Sequence, residues 1–78
     1  MNKKVNWGII GLGNAAMNFA KASQLTENAI LKGISSKNQK KIYNFKELFD
    51  VKSKYCFDNY EDIINCSEIE AIYIALPN

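Results

Sequence analysis

Four short apolar runs constrain this chain more than any other feature: Val5 to Ile10 (VNWGII), Ala29 to Ser35 (AILKGIS), Lys54 to Phe57 (KYCF) and Ala71 to Leu76 (AIYIAL). The first is apolar on nearly every residue, broken only by Asn6, which suits a strand buried on both faces rather than an amphipathic edge. Pro77 cannot donate a ladder hydrogen bond and ends the last run. Between the runs lie segments of helical periodicity. Ala16, Phe19, Ala20 and Ser23 give a small-residue face to a helix expected over Asn14 to Leu25. Ile42, Phe45, Leu48 and Phe49 mark the inner face of a second, within SKNQKKIYNFKELF. A short third helix, capped by Asp58 or Asn59 and running through Asn65, turns Tyr60, Ile63 and Ile64 inward. The order is βαβαβαβ.

Strands alternating with helices through short connections form a parallel sheet with right-handed crossovers, so the fold class is α/β: an incomplete, doubly wound parallel sheet. At 78 residues the chain provides one domain at most. An apolar fourth strand at an open edge invites association, and so short a segment is expected to be marginally stable alone.

Composition excludes several classes of function. The net charge is +2, and all ten basic residues are lysines spread along the chain, without the stripe that a nucleic acid requires. The apolar runs are far too short for a membrane span or a leader's hydrophobic region. Cys56 and Cys66 are too distant in sequence for a CxxC pair and histidine is absent, so no metal site is expected and the thiols fit a reducing cytoplasm. Any acid or base work would fall to Lys, Asp, Glu, Tyr or Cys, and none of these forms an obvious pair.

One motif carries chemistry. Gly11, Gly13 and Ala16 occupy the three positions of a GxGxxG pattern directly after the first strand and at the start of the first helix. In a dinucleotide-binding turn, Gly11 permits the tight bend and Gly13 lets the pyrophosphate approach the backbone, while Ala16 keeps helix and strand close. The amides around Asn14 and Ala15, with Leu12 between the glycines, then face the phosphates at the positive end of the helix dipole. Alternatively, the glycines serve only strand-to-helix geometry. About twenty residues on, where the adenine ribose is read, stand Ser36 and Lys37 rather than Asp or Glu. A hydroxyl followed by a cation suits a 2′-phosphate and favours NADP over NAD. Ser36 could equally cap the second helix while Lys37 is solvated. An S-adenosylmethionine methyltransferase is disfavoured by the same missing acid.

The stretches WGIIGLGNAAMNFAKA, LKGISSKNQKKI and DNYEDIINCSEIEAIYIALPN resemble the N-terminal segment of the Gfo/Idh/MocA oxidoreductases, the closing EAIYIALPN most specifically. The chain departs from that pattern at Leu76, where the family commonly carries a small or hydroxylated residue. The resemblance implies that residues 1–78 are the N-terminal portion of a Rossmann dinucleotide-binding domain, with a substrate domain outside this chain. It further implies hydride transfer between nicotinamide and a hydroxyl-bearing carbon of a sugar or polyol, and oligomerisation through the missing domain. Ala75, Leu76, Pro77 and Asn78 correspond to the family's loop beside the cofactor ribose and nicotinamide. The family's catalytic lysine motif lies beyond this segment, so no catalytic residue is expected within it. The competing reading is a non-catalytic nucleotide-binding or interaction module on the same fold.

Overall fold

The computed structural model describes residues 3–76. Pro77 and Asn78 lie outside the described residues. Seven elements follow the expected order: β1 (Val5–Ile10), α1 (Asn14–Ser23), β2 (Ala29–Ser35), α2 (Gln39–Phe49), β3 (Cys56–Phe57), α3 (Tyr60–Ile64) and β4 (Ala71–Ile74), with a single 3-10 turn (Ser53–Tyr55) before β3. All pairings are parallel, and the sheet order is β3-β2-β1-β4. The chain therefore steps outward from β1 to β3 and then crosses back to the other side of β1. That reversal opens a crevice at the carboxyl ends of β1 and β4.

Strand alternation places Ile9 and Gly8 on opposite faces. On the Ile9 side, Ala16 and Ala20 of α1 and Ile42 and Phe45 of α2 close over Ile9 and Ile34 in one buried cluster. On the Gly8 side, α3 and the turn after it press Ile63 and Ile69 onto the sheet. A Cβ on Gly8 would lie 3.0 Å from each, and one on Gly33 only 2.7 Å from Ile69 Cδ1. Asn6, the polar interruption in β1, anchors the chain entering β4: its amide donates to Glu70 Oε1 at 2.9 Å and its Nδ2 to the Glu68 carbonyl at 3.1 Å.

Several local expectations are corrected. Helix α1 stops at Ser23 rather than Leu25, because Ser23 Oγ donates to the Ala20 carbonyl at 2.7 Å and the next amides tighten into i→i−3 bonds. Leu48 does not join the core of α2; it is 63 % exposed, whereas Ile42 and Phe45 are buried. In α3 only Ile63 is fully buried, Tyr60 is half-buried and Ile64 faces outward, since five residues make little more than one turn. The third strand is shortened because residues 53–55 coil before pairing begins. The β1–β2 register slips between Trp7 and Gly8, leaving Lys32 as an unpaired bulge.

Candidate functional site

The crevice is built by the ends of three strands, β1, β2 and β4, and the starts of three helices. At the end of β1 the chain turns at Gly11, whose φ of +90° L-residues rarely adopt. The turn is held on both sides. The Gly11 amide donates to the Ser35 carbonyl of β2 at 3.0 Å, and the Ala75 amide donates to the Ile10 carbonyl at 2.8 Å. These backbone bonds hold the Gly11 turn between the β2 and β4 termini.

Gly13 follows in extended conformation as the N-cap of α1 and supplies no side-chain cap. The other two α-helices are capped by asparagine: Asn38 Oδ1 accepts from the Lys41 amide at 3.2 Å, and Asn59 Oδ1 from the Asp62 amide at 2.9 Å. In α1 the first intrahelical bond runs from the Met17 amide to the Gly13 carbonyl, so the amides of Asn14 and Ala15 precede the hydrogen-bonded ladder. Both residues are exposed and line the crevice.

The cleft has a volume of about 650 Å³. Every expected binding residue within the described range borders it: Gly11, Leu12, Gly13, Asn14 and Ala15 from the turn, Ser36 and Lys37 after β2, and Ala75 and Leu76 after β4. Residues up to 65 positions apart in sequence thus share one cavity. Pro77 and Asn78 lie outside the described residues. Ser36 is buried, and its Oγ accepts from the Asn38 amide at 3.0 Å, so it shapes the turn into α2. The α2 cap is Asn38, not Ser36, because the helix begins at Gln39 and Asn38, in extended conformation, is the residue whose side chain accepts from the Lys41 amide. Lys37 is exposed, its Nζ 5.9 Å from the centroid of the Tyr60 ring.

Sequence reasoning missed Asn38, Lys41, Tyr60, Tyr73 and Ile74 as lining residues. Lys41 left a readable signal: Lys40 and Lys41 occupy the first turn of α2, which carries no acid, although the positive end of a helix favours acids there. A second cation beside Lys37 at that place fits an anion. None of the described lining residues carries a carboxylate. Cys56 lies outside the cleft; burial pushes its thiol pKa up, against a smaller lowering by Lys46, and its Sγ donates to the Lys52 carbonyl at 3.5 Å. No helix among the described residues is long and apolar enough to cross a membrane.

The two glycines differ in why they are glycine. A Cβ on Gly11 would lie 2.9 Å from the Ala75 carbonyl oxygen, so the fold itself requires that residue. A Cβ on Gly13 would meet no atom of the described residues within 4 Å. The fold therefore makes no steric demand for glycine at position 13, and a ligand lying against the backbone there would.

A parallel sheet reversing at β1, with a glycine turn and an uncapped helix start facing the crevice, defines a dinucleotide-binding domain of the Rossmann class. The chain belongs to the Gfo/Idh/MocA oxidoreductase family: the model of that family's NAD-binding Rossmann fold matches residues 5–78. An oxidoreductase from Formosa agariphila, Oxidoreductase P35, is 36 % identical over 78 residues, covering 99 % of this chain and 24 % of that protein. Apo scyllo-inositol dehydrogenase from Lactobacillus casei superimposes with a TM-score of 0.88 at 24 % identity, over 99 % of this chain and 23 % of its own. The same enzyme has been solved with bound NAD(H) and scyllo-inositol, and matches here with a TM-score of 0.85 at 24 % identity, over 96 % of this chain and 22 % of its own. A 3-ketoreductase from Actinomadura kijaniata, solved with TDP-benzene and NADP, gives 0.84 at 20 % identity, over 96 % of this chain and 23 % of its own. This chain thus spans about a quarter of the length of these relatives.

Proposed function

We propose that the cleft holds a nicotinamide dinucleotide for an oxidoreductase acting on a sugar or polyol, and that NADP is preferred over NAD. The room left at Gly13 by the described residues carries this reading, since only there does the chain use a glycine that its own packing does not demand. The amides of Asn14 and Ala15 would meet the pyrophosphate, with the positive end of α1 behind them. Ala75 and Leu76 would border the nicotinamide side. Ser36, Lys37 and Lys41 would surround a 2′-phosphate, and the absence of a carboxylate among the described lining residues leaves nothing there to repel it.

When bound, the dinucleotide supplies a hydride acceptor or donor. The residues of this chain bind and orient it, and none is assigned a catalytic role. The chain would then be the N-terminal portion of the binding domain, with catalytic groups supplied by residues beyond this segment, and substrate contacts and any subunit interface by a second domain. The free thiols Cys56 and Cys66 accord with a cytoplasmic location.

Titration of the full-length protein with NADP and NAD tests the reading. NADP is expected to bind at least several-fold more tightly. Binding of neither overturns the proposal, and tighter binding of NAD overturns the role given to Ser36, Lys37 and Lys41. Lys41→Gln should weaken NADP about tenfold while leaving NAD within about twofold, as expected for a charge-assisted contact made only by the extra phosphate.

A further inference from the structure

Two of the cleft's borders, the N-terminus of α1 and the end of β4, belong to different elements, so the gap between them depends on how α1 is seated against β4. The buried face of α1 is made of Ala16, Ala20 and Ser23, small side chains that allow close approach but interdigitate little. Phe19 is the one large aromatic side chain of α1, and it reaches β4. Its ring stacks on Tyr73 with centroids 4.3 Å apart and planes 5° from parallel. Trp7 of β1 meets Phe19 edge-on at 5.2 Å and 65°. Tyr73 also lines the cleft. All three rings are half-buried, at the margin rather than in the interior.

We infer that Tyr73 is a positioning residue: stacked on Phe19, it sets the spacing between the α1 amides and the β4 terminus, and hence the fit of a ligand that touches both. This rests on the reading that the cleft holds a dinucleotide. The stack acts through ring area and orientation, so the Tyr73 hydroxyl is not needed. A ligand confined to the Ser36 and Lys37 end would not sense the spacing.

The test uses the full-length protein carrying Tyr73→Leu, Phe19→Leu, both together, or Tyr73→Phe. Affinities are measured for NADP and for adenosine 2′,5′-bisphosphate, which lacks the nicotinamide half. Each leucine variant should lose about tenfold in NADP affinity and less than twofold for the bisphosphate. The double variant should be no weaker than the worse single one, and Tyr73→Phe should match the parent. Unchanged NADP affinity in Tyr73→Leu would overturn the inference. So would a parallel loss for both ligands, which marks general loosening, or failure of Tyr73→Phe to retain affinity. A parent protein that binds neither ligand overturns instead the dinucleotide reading beneath it.

Discussion

Gly11 and Ala75 bring two backbone segments into direct contact: the Cβ that Gly11 lacks would stand 2.9 Å from the Ala75 carbonyl oxygen, at a φ of +90° that L-residues rarely adopt. Two residues on, Gly13 has extended backbone and no atom of the described residues within 4 Å of where its Cβ would be. The same residue type therefore answers to the fold at one position and is left free by it at the other.

Substitution should separate the two roles. Gly11→Ala is expected to cost about 2–4 kcal/mol of stability through backbone strain and overlap with Ala75, read as a lower urea midpoint. Gly13→Val should change stability by no more than about 1 kcal/mol, the scale of an N-cap effect, while dinucleotide binding is lost. Retained affinity in Gly13→Val would show that phosphate does not lie against this turn.

Asn38 and Asn59 cap α2 and α3, and Asn59 Nδ2 also donates to Asp62 Oδ2 at 2.9 Å and to Asp58 Oδ1 at 3.1 Å. Alanine at either position should lower stability by about 1 kcal/mol, a fall in melting temperature of roughly 4–8 °C for a domain of this size. Asn59→Ala should be the worse of the two. Equal melting temperatures for parent and both variants would refute the assignment of the caps.

The two sheet edges differ in protection. Strand β3 is only two residues long and follows Lys52 and Lys54, whereas β4 carries no charge and leaves Ile74 66 % exposed, with Leu76 42 % exposed just beyond it. The 78-residue chain should associate with rising concentration through β4, and Ile74→Lys should suppress this. Sedimentation velocity at several concentrations decides it; a monomer throughout would contradict the expectation.

Burial raises the Cys56 thiol pKa despite Lys46 nearby. The folded state thus holds the thiol proton more tightly than the unfolded chain does. This contribution to stability is complete below about pH 8.5 and is lost as pH rises into and through the raised range. Denaturant melts from pH 7 to 10 should show a decline that is shallower in Cys56→Ala. Identical slopes would rule out Cys56 as its source.

Alternation of short continuous apolar runs with helical periodicity was enough to read the element order and the parallel sheet, because a strand buried on both faces and a 3.6-residue period each leave a local pattern along the chain. The GxGxxG spacing placed the turn for the same reason. Element ends were less legible. Ser23 ends α1 through a hydrogen bond to its own helix, and residues 53–55 coil before β3, effects of one or two bonds that periodicity does not register. Leu48 and Ile64 continue apolar patterns yet face outward, because periodicity records a helix's apolar side and not how much of that side the sheet covers.

The sequence by itself determined the βαβαβαβ order, the glycine turn and the hydroxyl–cation pair at Ser36 and Lys37, since each depends on neighbours along the chain. Only the tertiary structure brought Ala75 against Gly11, Lys41 and Tyr60 beside Lys37, and Phe19 onto Tyr73. Those meetings depend on the crossover that returns β4 to the far side of β1, and on helix orientations set by packing across the sheet. The distinction between Gly11 and Gly13 belongs to the same level: one letter stands at both positions, and only the surrounding space separates a residue the fold requires from one it leaves open.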